Sequence, residues 1–77
     1  MEFEKLQEII SNELNIDVNE IQMDSKIMDD LGADSLDVFQ IIMGIEEAFD
    51  LEIDNEDVEK IVTVGDAVEQ IRNATNN

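Results

Sequence analysis

The chain has 77 residues, 21 acidic against four basic (Lys5, Lys26, Lys60 and Arg72), for a formal net charge of −17, and it lacks Cys, His, Trp and Tyr. Disulfides, thiolate metal sites, thiol nucleophiles and histidine bases are thereby excluded. Nucleic acid and anionic membranes are poor partners, because both repel so acidic a surface.

Basic protein surfaces are the favoured partners, since such fields speed encounter in a salt-dependent way. The plainer alternative is that the charge only maintains solubility. High charge with few aromatics also marks disorder. Here 43% of residues are hydrophobic and well patterned, which confines the expectation of disorder to a tail over 73–77. The start, Met1-Glu2-Phe3-Glu4-Lys5, reads as the entry to a helix and not as a signal peptide. No apolar run approaches the ~20 residues of a membrane span. The expectation is one soluble, cytoplasmic domain with its core over about 3–72. A domain of this size buries only about 60% of the surface its unfolded chain exposes, so that core is small.

Phe3, Leu6, Ile10 and Leu14, with Ile9 beside them, form a stripe at helical spacing and predict a first helix from about Phe3 to Leu14. Asn15 suits its end, because Asn tolerates the left-handed conformation. Residues 15 to 33 hold no sustained period. Asp17 is placed to cap a single turn through Ile21. Ile16, Val18, Ile21, Met23, Ile27, Met28 and Leu31 are spaced irregularly, as pegs that hold a long loop on the core. Loops of this length are uncommon in compact domains and often functional. Gly32 frees the chain to turn at the loop's end.

A second helix is predicted from about Ser35 to Phe49, with Asp34 as N-cap and Asp37 at the third helical position near the positive end of the dipole. A link over 50–55 carries two apolar anchors, Leu51 and Ile53. A short third helix fits Glu56 to Ile61, with Val58 and Ile61 inward. Thr63 then caps a fourth helix from about Val64 to Arg72, with Asp66 completing a capping box. Val64, Ala67, Val68 and Ile71 form its buried face. No strand alternation is present. The fold class is all-α: a four-helix bundle with one short helix and a long first connection.

The second helix carries two apolar stripes. Val38, Ile42, Ile45 and Phe49 face the core, widened by Ile41 and Ala48. Leu36, Phe39 and Met43 lie on another face, among Asp37, Gln40, Gly44, Glu46 and Glu47. A small domain can hardly bury both faces, and an exposed apolar strip rimmed by carboxylates is a protein-docking surface. The alternative is that Phe39 packs under the long loop and Met43 is incidentally exposed. Ser35 starts the same helix. From spacing alone a simple helix-start serine is the commoner use. A phosphodiester there would lie beside free backbone N–H groups at the positive dipole end, and Gly32 and Ala33 leave room for a partner to reach the hydroxyl.

The run Asp30-Leu31-Gly32-Ala33-Asp34-Ser35-Leu36-Asp37 resembles the acyl carrier protein family, close to its bacterial, free-standing form that serves type II fatty acid synthesis. The similarity continues through residues 41–50 and 59–67 and covers nearly the whole chain. The Gly-Ala-Asp-Ser-Leu-Asp segment is the specific part. The resemblance implies a four-helix bundle and no enzymatic activity. It implies 4′-phosphopantetheine on Ser35, added from coenzyme A by a phosphopantetheinyl transferase, with acyl groups carried as thioesters on the arm. It further implies that Asp34, Leu36, Asp37, Met43, Glu46 and Glu47, with Phe39 and Gln40 on the same face, meet the transferase and the acyl-transferring, condensing and reducing enzymes of fatty acid biosynthesis through their basic surfaces. The carrier is expected to be a monomer. A chain without Cys or His needs a cofactor to supply the reactive group, and the bundle's apolar interior could sheathe an acyl chain.

Several positions depart from the family pattern. Gln40 and Ala48 stand where acidic residues are usual, Phe39 where a smaller aliphatic is, Gly44 where Ala is, and Ile53-Asp54 replaces a common Ile-Pro. These leave the attachment motif intact and bear on partner choice, so a carrier for polyketide, aminoacyl or D-alanyl groups remains open. A different class, a cofactor-free acidic interaction protein, is the other reading. An EF-hand needs acids at positions 1, 3 and 5 and Gly at 6, and with Gly32, Gly44 or Gly65 at that glycine the first position becomes Ile27, Phe39 or Lys60. Diffuse, weak cation binding over residues 46–59 is the remaining metal expectation. A serine nucleophile needs an activating base, and the nearest Lys in sequence to Ser35 is Lys26.

Overall fold

The computed structural model describes residues 2–75. Four α-helices follow one another: α1 Glu2–Leu14, α2 Ser35–Phe49, α3 Asn55–Glu59 and α4 Val64–Thr75, with a 3-10 turn at Val18–Glu20 between the first two. No strand occurs among the described residues. One isolated antiparallel bridge joins Lys26 to Thr63.

α1 packs on both α2 and α4, and α2 packs on α4. Leu6 and Ile10 of α1, Ile41, Ile42 and Ile45 of α2, and Val64, Ala67, Val68 and Ile71 of α4 form the buried core, with Ile21, Ile27, Ala33 and Ile61 from the connections. Aliphatic side chains at i, i+3 and i+4 on each helix build this centre, the arrangement that apolar periodicity demands. α3 is the exception. It has no fully buried residue, its N-cap Asp54 makes no side-chain cap bond, and it has no extensive contact with another helix.

The long connection is tied down by polar bonds as well as by pegs. Asn15 takes a left-handed φ of 58°, as expected of a helix-ending Asn. The Ser11 hydroxyl donates to the Ile16 carbonyl. Asp17 caps the 3-10 turn through the Asn19 N–H. The Gln7 amide, from α1, donates to the carbonyls of Val18 at 3.1 Å and Ile21 at 2.8 Å. Farther on, Ile27 N–H bonds Val62 and Val64 N–H bonds Ser25, each at 3.0 Å. Burial alternates there, with Ser25 and Ile27 buried and Lys26 and Met28 exposed, and the chain turns straight after Lys26, whose carbonyl accepts the Asp30 and Leu31 N–H groups at 2.8 and 3.1 Å.

That alternation corrects the expectation for the loop. Ile21 and Ile27 are buried pegs, and Ile16 and Leu31 are half-buried, but Val18, Met23 and Met28 are exposed. Ala48 is also exposed. At 3.6 residues per turn it lies about 60° from Ile45, on the flank away from Phe49, so it misses the contact that closes the stripe. Gly44 belongs to the interior and not to the outer face. A Cβ there would sit 3.0 Å from Ile9 Cγ2 of α1, so the glycine lets the two helices approach. α3 starts one residue earlier than expected and ends at Glu59. α4 runs on to Thr75, whose hydroxyl donates to the Ile71 carbonyl at 2.9 Å. Residues 73–75 are therefore helical and not tail, and 76–77 lie outside the described residues.

Candidate attachment site and docking face

Helix α2 begins at Ser35 because Asp34 and Asp37 close a capping box around that residue. Asp34 Oδ1 accepts the Asp37 N–H at 2.8 Å, and Asp37 Oδ2 accepts the Asp34 N–H at 3.2 Å. The turn into the helix is made by Gly32, whose φ of 78° lies in the left-handed region. Ala33 is buried just behind it, held by its N–H on the Ile27 carbonyl at 3.2 Å. A fixed Ala33 and a fixed box leave Ser35 exposed as the first helical residue. The Ser35 and Leu36 amides have no acceptor among the described residues. They are the orphan donors of the helix end, where an anion is favoured.

Two apolar features meet at this serine. The first is the strip. Leu36 is 66% exposed, Phe39 54% and Met43 58%, at spacings that put all three on one face. Gln40 and Glu47 are exposed beside them. Phe39 thus does not pack under the loop. The second feature is an open cleft of about 300 Å³ lined by Met28, Ser35, Val38, Phe39, Val58, Glu59 and Ile61. It lies on the seam between α2 and the loosely held α3. A smaller cleft of about 200 Å³ adjoins it and shares Met28, Glu59 and Ile61. A separate cleft of about 230 Å³ lies between the α2–α3 link and the end of α4. Its lining is mostly polar and holds no hydroxyl group.

The expected partner-facing residues divide. Leu36, Phe39, Gln40, Met43 and Glu47 present side chains outward. Asp34 and Asp37 are engaged with each other through the box. Glu46 is half-buried, and its Oε2 accepts the Ile53 N–H at 2.9 Å, which anchors the α2–α3 link. Its carboxylate has a structural task that periodicity does not reveal. Met28 and Glu59 are site residues that the sequence reading missed. No local signal marked them, because the cleft forms only where α2, α3 and the loop converge. No group of three or more acidic side chains is arranged to hold a metal ion among the described residues, and no described helix is long and apolar enough to cross a membrane.

An exposed hydroxyl, two unpaired amides and an adjoining apolar cleft fit a phosphate-linked arm with a hydrophobic load. The comparisons with known proteins agree. A family model described as "Phosphopantetheine attachment site" matches residues 4–71. The chain is 51% identical over 72 residues to the acyl carrier protein of Clostridium acetobutylicum, covering 94% of each chain. It is 46% identical over 71 residues to that of a Sulfurovum species, covering 92% of this chain and 95% of the relative. A solved structure of the acyl carrier protein from Enterococcus faecalis superposes with a TM-score of 0.79 at 40% identity, over 95% of this chain and 92% of that one. With this agreement in sequence and in helical frame, the chain belongs to the acyl carrier protein family: a carrier and not an enzyme, with phosphopantetheine as its cofactor.

Proposed function

We propose that Ser35 holds the 4′-phosphopantetheine arm and that the chain delivers acyl intermediates to enzymes of fatty acid biosynthesis. The observation that carries this reading is the placement of one exposed hydroxyl where the apolar strip and the apolar cleft meet. During loading, Ser35 Oγ attacks the β-phosphorus of coenzyme A. A phosphodiester bond forms, the pyrophosphate bond breaks, adenosine 3′,5′-bisphosphate leaves, and the hydroxyl proton passes to a base of the transferase. No base of this chain is needed. When bound, the arm supplies a thiol that carries acyl groups as thioesters.

The chain's own residues do the rest. The Ser35 and Leu36 amides and the α2 dipole favour the phosphodiester. Leu36, Phe39 and Met43 give partners an apolar contact, and Gln40 and Glu47 stand at its rim, with Glu47 complementing basic enzyme surfaces. Val38, Val58 and Ile61 give the cleft an aliphatic floor, which suits a hydrocarbon better than an aminoacyl or D-alanyl group. The protein is read as a cytoplasmic monomer.

The test is intact mass after incubation with coenzyme A and a broad-range transferase. Wild type gains the mass of one phosphopantetheine and Ser35→Ala gains none. An unmodified wild type, or a modified Ser35→Ala, contradicts the reading. Loading with malonyl, aminoacyl and D-alanyl donors then separates the pathways.

A further inference from the structure

We propose that Phe39 is a specificity-determining residue: its ring is the adaptable wall of the cleft beside Ser35 and sets the length of acyl chain sheltered there. The inference rests on the reading of Ser35 as the attachment point. Val38, Val58 and Ile61 line the cleft from below and pack into the core, so they form a fixed floor. Phe39 also lines the cleft, but it is not part of the core cluster and is 54% exposed. It is the one aromatic side chain in the lining. Ser35 and Phe39 are i, i+4 neighbours on α2, so the ring stands next to the hydroxyl. Its exposed side leaves it free to fold over the cleft or to swing into solvent.

Met28 faces it from the loop and is 49% exposed. An unbranched thioether adapts to irregular apolar shapes. The cleft therefore has a rigid aliphatic floor and an adaptable mouth. At about 300 Å³ it sits at the low end of small-molecule sites. A chain that leaves the arm beside Ser35 passes the ring first, and the space the ring fills is space the chain cannot use. Removal of the ring thus lengthens the chain that the cleft can shelter, and a larger ring shortens it.

The test uses full-length wild type, Phe39→Val and Phe39→Trp, each charged with saturated acyl groups from butyryl to palmitoyl. Loading is from the acyl-coenzyme A with excess broad-range transferase, so that weaker docking slows loading without preventing it, and is verified by intact mass. Each acylated form is compared in melting temperature with its own unacylated holo form, since a load held by the native state raises stability. In wild type the gain rises with chain length and then levels off. In Phe39→Val the levelling moves to longer chains by about one two-carbon unit or more, and in Phe39→Trp to shorter ones. The same levelling point in all three proteins overturns the role of Phe39. If loaded wild type gains nothing at any length, the cleft shelters no chain and the proposal falls, while the attachment reading stands. If Ser35 does not load at all, both fall.

Discussion

Asp34 and Asp37 hold each other by reciprocal bonds from one's amide to the other's carboxylate, at 2.8 and 3.2 Å. Ser35 and Leu36 lie between them. The box fixes where α2 starts, and so fixes the direction in which the Ser35 hydroxyl is offered.

Removing either side of the box should loosen that start. Asp34→Ala and Asp37→Ala are each expected to lose about 1 kcal/mol of stability, which for a domain of this size lowers the melting temperature by roughly 4–8 °C. Asp34→Asn should lose much less, because Asn also caps well. Thermal unfolding followed by circular dichroism measures this directly. An Asp34→Asn loss as large as the Asp34→Ala loss would show that charge, and not capping, is what Asp34 supplies.

The start of α4 carries the pH-sensitive cap. Asp66 Oδ2 accepts the Thr63 N–H at 3.1 Å and the Val62 N–H at 3.0 Å, and the Thr63 hydroxyl accepts the Asp66 N–H. The Thr63 and Val62 amides hold the Asp66 carboxyl below the usual aspartate range. A lowered folded-state value means that the stabilisation is complete above the unfolded value of about 3.9 and is lost as pH falls through the lower folded value. Asp66→Asn should therefore unfold more easily than wild type at neutral pH, with the gap closing in acid below about pH 4. A gap independent of pH would contradict this.

Gly44 stands between two opposed effects. Alanine gains up to about 1 kcal/mol of helix propensity, but its Cβ would lie 3.0 Å from Ile9 Cγ2. Ile9 is only half-buried and can shift by the small distance required. Gly44→Ala is expected within about 0.5 kcal/mol of wild type, and Gly44→Leu to lose about 1–3 kcal/mol through overpacking. Urea titrations of the two variants decide it.

Self-repulsion leaves a signature in salt. The net charge is −17, and the ion pairs Lys60–Asp57 at 4.0 Å and Arg72–Glu2 at 3.8 Å are too long and exposed to offset it. Melting temperature should rise with sodium chloride, and at lower concentration with Mg²⁺. A flat ionic-strength series would contradict the expectation.

The outer strip should matter to partners and little to stability. Met43→Ala is expected to reduce kcat/KM of transferase loading by about tenfold, equivalent to ~1.4 kcal/mol of contact. Glu47→Lys should act mainly at low salt. Melting temperatures of both should stay near wild type. A matching drop in stability would place these side chains in the fold and not at the partner contact.

Much of the frame was legible because its signals are local. Asp34 before an apolar run marks the start of α2, Asn15 marks the end of α1, and the Thr63–Asp66 pair marks the start of α4. The misses are tertiary. Glu46 looks like a surface carboxylate until the chain returns to place the Ile53 N–H 2.9 Å from it. Gly44 looks like a weak helix position until Ile9 arrives from α1. Met28 looks like a core peg until the turn that follows Lys26 leaves it exposed at the edge of the cleft. The strip of Leu36, Phe39 and Met43 was readable because one helix with two apolar stripes exceeds what so small a core can bury. The cleft was not, because it exists only where α2, α3 and the loop converge.

Trypsin offers the most direct test of the central claim. Cleavage after Lys26 and Lys60 releases a segment in which Ser35 is the only hydroxyl-bearing residue. After incubation with coenzyme A and a transferase, the phosphopantetheine mass should appear on that segment alone and vanish in Ser35→Ala. The same mass on the segments that carry Ser11, Ser25, Thr63 or Thr75, or on none, would contradict the account.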